Sequence, residues 1–306
     1  MKLITLEPGE VITEPGLYDI PMNRYHSGDL CDGPSVSSSG LRAFMRCPEK
    51  WWLTSPLNPD RVEPTETTAF AFGRAAHALL IEKQMPRDVM VSPYESFRTN
   101  EAKAWRDEML ADGRTIIKPA DVQAIKAMAE RLAREPLVKQ GLLSGMIEKS
   151  LVWKDYATGL WLKARPDVIP QDSMLADYKT AASADPSDIQ RDVAKYGYHQ
   201  QIALAAEGMA RVLGRVVDSF ALVVQEKNAP YTVTVAPLYE TTIEWGARLN
   251  RMGLDRLAAC LKSGDFPGYS EGPVSIGLPA WAEKQLKDND ALLPQVPSLK
   301  EMAAHG

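Results

Sequence analysis

Cysteine is scarce in this chain. Cys31, Cys47 and Cys260 are the only three, scattered and without a C-x-x-C pair. That argues against a disulfide framework, a zinc ribbon and a four-cysteine iron–sulfur cluster, and it suits the cytosol. Long apolar runs are missing as well: no uninterrupted stretch is long enough to span a bilayer. The N-terminal MKLITLEPGEV lacks the apolar segment of a secretory signal, so no signal peptide is expected. Excess positive charge is also absent. A formal net charge of −5 does not announce a nucleic-acid binder, so any phosphate would be held by a local basic set rather than a basic coat. There is no internal repeat and no low-complexity tract.

What is present suits a soluble globular protein: 45% hydrophobic and 25% charged residues over 306 positions, enough to bury a sizeable core. Residues 1–35, rich in Gly, Pro and Asp, are expected to be an irregular lead-in with short extended pieces such as Lys2 to Leu6. The main domain is expected over 36–285, and the polar tail 286–306 is expected to be disordered.

Between these limits the chain alternates helical and extended patterns. Ser37 to Gly40 precede Leu41, Phe44 and Met45 at helical spacing, with a serine N-cap, and Cys47-Pro48 ends the helix. Trp51-Trp52 offers an apolar anchor or, alternatively, a stacking surface for a DNA base. Thr67 to Lys83 reads as a helix whose small residues around Gly73 permit close approach to another backbone. His77 in that helix is read first as a packed, hydrogen-bonded core residue, with a metal ligand when neutral as the alternative. Further helices are expected over Asn100 to Ala111, from a cap at Asp121 to Arg134, from Asp185-Pro186 to Lys195, from Tyr198, and over Glu240 to Leu261. Strands are expected over Met146 to Tyr156, Val216 to Glu226 and Tyr231 to Val235.

The stretch that organises the rest is Lys163-Ala164-Arg165-Pro166-Asp167, followed ten residues later by Asp177-Tyr178-Lys179. Leu160 to Ile169 and Met174 to Thr180 read as two strands around a turn at 170–173, which would make a meander with the strand before them. Alternation puts Asp177 and Lys179 on one face and Tyr178 on the other. An odd-numbered turn would place Asp167 opposite Asp177, and a one-residue slip would separate them. Two carboxylates and a lysine at a strand end form a hard-oxygen cation site beside a fixed positive charge. Asp-x-Lys by itself fits a solvated strand edge just as well. Lys149, Lys154, Lys163, Arg165, Lys179 and Arg191 supply the local basic set around it.

In order, His77, Glu148, Asp167, Asp177-Tyr178-Lys179 and Gln201 resemble the PD-(D/E)xK nuclease superfamily. Within it they resemble the phage and prophage exonuclease group typified by RecE, exonuclease VIII. The blocks Ser37 to Leu41 with Cys47-Pro48, Gly73 to His77, Tyr198 to Gln201, and Phe266 to Tyr269 ahead of Leu278 to Trp281 are similar to that group. The resemblance implies an α/β, restriction-endonuclease-like αβββαβ core, with a mixed central sheet flanked by helices. It implies metal-dependent hydrolysis of phosphodiesters, with Mg²⁺, or Mn²⁺ in its place, held by His77, Asp167, Asp177 and the Tyr178 carbonyl. Lys179 matches the catalytic lysine, and Glu148 and Gln201 match residues that assist the site. Where many relatives carry a tyrosine four residues after the glutamine, this chain has Ala205. Some relatives with a Cys-Pro block carry an iron–sulfur cluster; Cys47 lacks the cysteine partners, so none is expected. The activity implied is exonuclease action at linear duplex DNA ends, 5′ to 3′. An endonuclease, a single-strand nuclease and a non-catalytic DNA-end-binding module are the alternatives. Also implied are a ring-shaped homo-oligomer, a single-strand annealing protein as partner, and phage-type recombination in the cytoplasm of a bacterial host, with no membrane association.

Overall fold

The computed structural model describes residues 2–7, 9–62, 68–83, 89–292 and 294–296. Its strands are β1 (Leu3–Thr5), β2 (Gly16–Asp19), β3 (Ser35–Ser37), β4 (Val89–Val91), β5 (Thr115–Ile117), β6 (Gly145–Ile147), β7 (Ser150–Lys154), β8 (Trp161–Ala164), β9 (Val168–Pro170), β10 (Met174–Ala181), β11 (Ser219–Glu226) and β12 (Val233–Pro237). Helices that bear on the site are α1 (Ser38–Arg46), α2 (Thr68–His77), α3 (Pro186–Tyr196), α4 (Tyr198–Gly208) and α5 (Glu240–Ser263). The architecture is mixed α/β, with mixed sheets flanked by helices, as expected. Among the described residues no helix is long and apolar enough to cross a membrane.

A five-stranded sheet runs β1-β2-β7-β8-β3, and a three-stranded sheet runs β10-β11-β12, with β10 and β11 parallel over their full length. β7 and β8 are buried on both faces. Leu151, Trp153 and Leu162 point into the large cluster formed with Leu41 and Phe44 of α1, Leu204 of α4 and Leu254 of α5. Val152 and Trp161 point the other way, onto Leu6, Ile12, Tyr18 and Leu30. That second layer comes from residues 1–35. Within this lead-in the extended piece expected at Lys2 to Leu6 is β1; the segment also supplies β2 and an apolar cover, and it belongs to the same compact unit as everything through Gly268.

The expected meander does not form. Met146 to Tyr156 is two strands, split at Glu148, whose φ of 54° is left-handed. Leu160 to Ile169 is also two strands, because Arg165-Pro166-Asp167 leaves the sheet. β8 stays with β7 and β3, whereas β9 pairs with β6. Among the described residues the hydrogen-bonded neighbour of β10 is β11. Proline at 166 lacks the amide a continuing ladder needs, which is the physical reason for the break.

Helix boundaries follow local chemistry. Ser37 Oγ accepts from Gly40 N at 3.4 Å to cap α1, and Asp185 caps α3 by accepting from Ser187 N at 2.8 Å. Asp121 is not the cap of its helix; it sits inside the first turn of Pro119–Leu132 and accepts from Lys118 N at 2.8 Å. Trp51 is buried and Trp52 stacks on Phe266 at 4.2 Å and 10°, so the tryptophan pair serves the core rather than a base. The helix expected from Thr67 begins at Thr68, residue 67 lying outside the described residues. The second compact unit, Tyr269–Gly306, contains a helix over Ala280–Asp288 and a 3-10 turn over Asp290–Leu292. Of the tail expected to be disordered, 297–306 lies outside the described residues.

Close backbone approach occurs at a glycine other than Gly73. Among the described residues a Cβ on Gly73 would meet Thr180 Oγ1 alone, at 3.9 Å, whereas one on Gly246 of α5 would lie 2.4 Å from the His199 carbonyl oxygen of α4. Gly246→Ala should therefore destabilise the protein by roughly 1–3 kcal/mol, the scale of core overpacking. Gly73→Ala should stabilise it by about 0.5–1 kcal/mol, because alanine loses less freedom in a helix. Urea unfolding of both variants checks this; equal effects would contradict the packing described.

Candidate metal-binding active site

Three segments deliver the polar groups. Ala75 and Ala76 of α2 are fully buried among Val89, Ile117 and Ile125, which turns His77, the last residue of the helix, the opposite way. His77 Nε2 lies 3.0 Å from Asp167 Oδ1 and Nδ1 lies 3.5 Å from Glu148 Oε1. Glu148 reaches it from the left-handed kink between β6 and β7, where its amide donates to the Asp167 carbonyl at 3.2 Å. A non-glycine residue in this conformation costs on the order of 1–3 kcal/mol, so surrounding contacts must hold it. Asp167, in the break between β8 and β9, spends its other oxygen on the Tyr178 amide at 2.6 Å.

Along β10 the alternation is as read. The Tyr178 ring enters an apolar cluster with Val168 and Val223, and its hydroxyl donates to Gln225 Oε1 at 2.7 Å. Asp177 and Lys179 face the other way and form an ion pair. Gln201 of α4 donates to Asp177 Oδ1 at 3.1 Å. Asp167 and Asp177 thus come close through a side-chain hydrogen bond to the backbone, not through a hairpin register.

The electrostatics are those of a crowded anionic site. Burial pushes Glu148 up to about 7, with the Asp167 charge adding and His77 opposing. Burial and the Asp167 charge push Asp177 up to about 6 against the pull of Lys179. Burial opposes ionisation of Asp167 too, but the His77 charge and hydrogen bond, Lys179 and the Tyr178 amide outweigh it and hold it below the usual range. Burial lowers the His77 pKa, yet Asp167 and Glu148 prevail and raise it to about 9. Lys179 is raised in the same way, desolvation being outweighed by Asp177 and Asp167.

His77, Glu148 and Asp167 each present one ligand atom, all within 4.8 Å of one another. Ligands about 2.1 Å from an octahedral Mg²⁺ lie about 3.0 Å apart when adjacent and about 4.2 Å apart when opposite, so the trio would contract somewhat to hold one ion. Two carboxylate oxygens and an imidazole nitrogen also suit the harder divalent metals. The residues therefore fit a divalent cation. Asp177, expected as a ligand, contacts Gln201 and Lys179, and Glu148, expected to assist, stands beside His77. Of Tyr178, expected to ligate through its carbonyl, the backbone amide donates to Asp167.

A cavity of about 290 Å³ opens over these groups, lined also by Ser38, Arg42, Lys163 and Arg165. Arg42 was not among the expected residues, although helical spacing from Ser38 and Ser39 puts it on their face. The expected basic set divides. Lys163 Nζ donates to the Tyr25 carbonyl at 2.6 Å, and Arg165 donates to Ser150 and to the Ile20 carbonyl, all at the cavity wall. Lys149, Lys154 and Arg191 instead pair with Asp19, Asp32 and Asp188.

Comparison with known proteins agrees with this architecture. A family described as a PDDEXK-like domain of unknown function (DUF3799) matches residues 37–275. Among solved structures, a candidate exonuclease from Eubacterium rectale superposes with a TM-score of 0.61 at 15% identity, over 87% of this chain and 98% of that one. An alkaline exonuclease from Laribacter hongkongensis aligns over 62% of this chain and 97% of its own, with 14% identity and a TM-score of 0.22. No curated protein matches the chain.

A cation entering the trio must displace the proton of His77, held with a pKa of about 9, and below pH 7 that of Glu148 as well. Mn²⁺ affinity should therefore rise from pH 6 to pH 8, by about tenfold for each proton displaced per pH unit. Calorimetric titration in buffers of different ionisation enthalpy should show proton release. An affinity flat over this range would show that the ion bypasses His77.

Proposed function

The chain belongs to the PDDEXK-like DUF3799 family, and on that premise we propose that it is a Mg²⁺-dependent exonuclease acting on the ends of linear double-stranded DNA. The observation that carries this reading is the proximity of the His77–Glu148–Asp167 trio to the buried Asp177–Lys179 pair, with His77, Glu148 and Asp177 lining one cavity. A bound divalent ion supplies charge neutralisation at the phosphate and a water of lowered pKa. His77, Glu148 and Asp167 hold that ion. Lys179, kept protonated by Asp177 and Asp167, aims a fixed positive charge at the developing negative charge, and preorganised charge of this kind is usually the largest contribution. Gln201 fixes Asp177, and through it the lysine. Arg42 and Arg165 give the cavity wall the positive charge that phosphates require.

The finer features rest on the sequence resemblance: 5′ to 3′ polarity, a ring-shaped homo-oligomer, a single-strand annealing partner, and a role in phage-type recombination in the bacterial cytoplasm. Mn²⁺ is expected to replace Mg²⁺.

End-labelled linear duplex incubated with Mg²⁺ should be degraded, and EDTA should abolish the loss. A covalently closed circle of the same sequence should survive; its cleavage would move the assignment to an endonuclease. Lys179→Ala removes no metal ligand, so Mn²⁺ affinity should persist while digestion falls by roughly a hundredfold or more. Normal digestion by Lys179→Ala would overturn the assignment of the lysine.

A further inference from the structure

Two tyrosines flank the corner between α3 and α4. Tyr196 ends α3, Gly197 turns the chain at φ 64°, and Tyr198 begins α4, one helical turn before Gln201 on the same face. Their ring centroids are 5.7 Å apart at an interplanar angle of 32°. Lys179 Nζ lies 5.4 Å from the Tyr198 centroid, and Lys195 Nζ lies 4.9 Å from that of Tyr196. Cation, ring, ring and cation thus run in series from the buried Asp177–Lys179 pair outward to solvent.

The corner is held in place. Arg42 Nη1 donates to the Gly197 carbonyl at 2.8 Å, and a Cβ on Gly197 would fall 2.4 Å from Arg42 Cδ. The outer ring, by contrast, has no packing role in the apolar clusters and is 45% exposed. Lys195 is exposed too, and among the described residues it makes no ion pair. An exposed cation over a ring contributes only about two- to fivefold to an equilibrium, less than the roughly 5- to 150-fold of a base stacked on an aromatic side chain. A nucleobase can therefore replace the Lys195 ammonium on Tyr196, leaving that ammonium to meet a phosphate.

We infer that Tyr196, seated on Tyr198, is a stacking platform for an unpaired base of a DNA strand lying next to the candidate metal site. This deepens the proposed nuclease reading and rests on it for the identity of the ligand. It makes the bound end locally single-stranded. Charge complementarity supports the occupant, since Lys195, whose ammonium lies beside the outer ring, is exposed and makes no ion pair among the described residues.

The test uses the full chain in EDTA with a single-stranded oligothymidylate carrying one 2-aminopurine, the label placed at successive positions. Binding to the parent should quench the label at one or two positions. Tyr196→Phe should bind and quench alike, whereas Tyr196→Ala should lose the quenching and about tenfold in affinity measured by anisotropy. Tyr196→Ala that quenches and binds like the parent overturns the platform, as does a parent that does not bind the oligonucleotide. Parallel digestion of linear duplex separates the two readings. Digestion with no effect of Tyr196→Ala on binding or quenching removes the platform alone; quenching that depends on Tyr196 without any metal-dependent digestion removes the nuclease and keeps the platform.

Discussion

The site depends on one carboxylate used at both ends. Asp167 accepts the Tyr178 amide on one oxygen and meets His77 on the other, while its own carbonyl receives the Glu148 amide. These contacts fasten together β10, the end of α2 and the kink between β6 and β7, which are far apart in sequence. Carboxylates accepting backbone amides are pinned in orientation as well as in charge. Removing the Asp167 side chain would therefore loosen β10 and the end of α2 as well as delete a ligand, while its backbone carbonyl would still hold the Glu148 amide.

Much of this was legible in the residues. Capping by Ser37 and Asp185 follows from short-range chemistry, and so does the division of faces along Asp177-Tyr178-Lys179. The sheet connectivity was not. A continuous apolar run such as Leu160 to Ile169 reads as one strand, and only the loss of an amide at Pro166 hints that it changes partners. The cover formed by residues 1–35 was missed because its apolar residues are interspersed with Gly, Pro and Asp and lack a clean period, even though Leu6, Ile12 and Leu30 are buried. The placement of Glu148 beside His77 depends on a left-handed residue between two strands, a conformation that a glutamate does not advertise.

The site is also a store of unfavourable electrostatics. Three carboxylates lie close together, and burial with mutual repulsion drives two of them towards neutrality. A protein selected for stability alone would replace such groups by apolar ones of similar size. Their crowding is intelligible where a cation is to be gripped, because the repulsion relieved on binding adds to the affinity.

The N-terminal layer sets a limit on how the unit can be divided. Tyr25 and Ile20 present carbonyl oxygens to Lys163 and Arg165, two cations of the cavity wall, and β2 covers one edge of β7. The family match begins at residue 37. A recombinant fragment cut to that boundary would leave a desolvated ammonium without its acceptor, strip the cover from Val152 and Trp161, and open a strand edge to intermolecular pairing. The stretch matched by the family and the compact unit of the structure therefore differ, and the first 36 residues belong to the second.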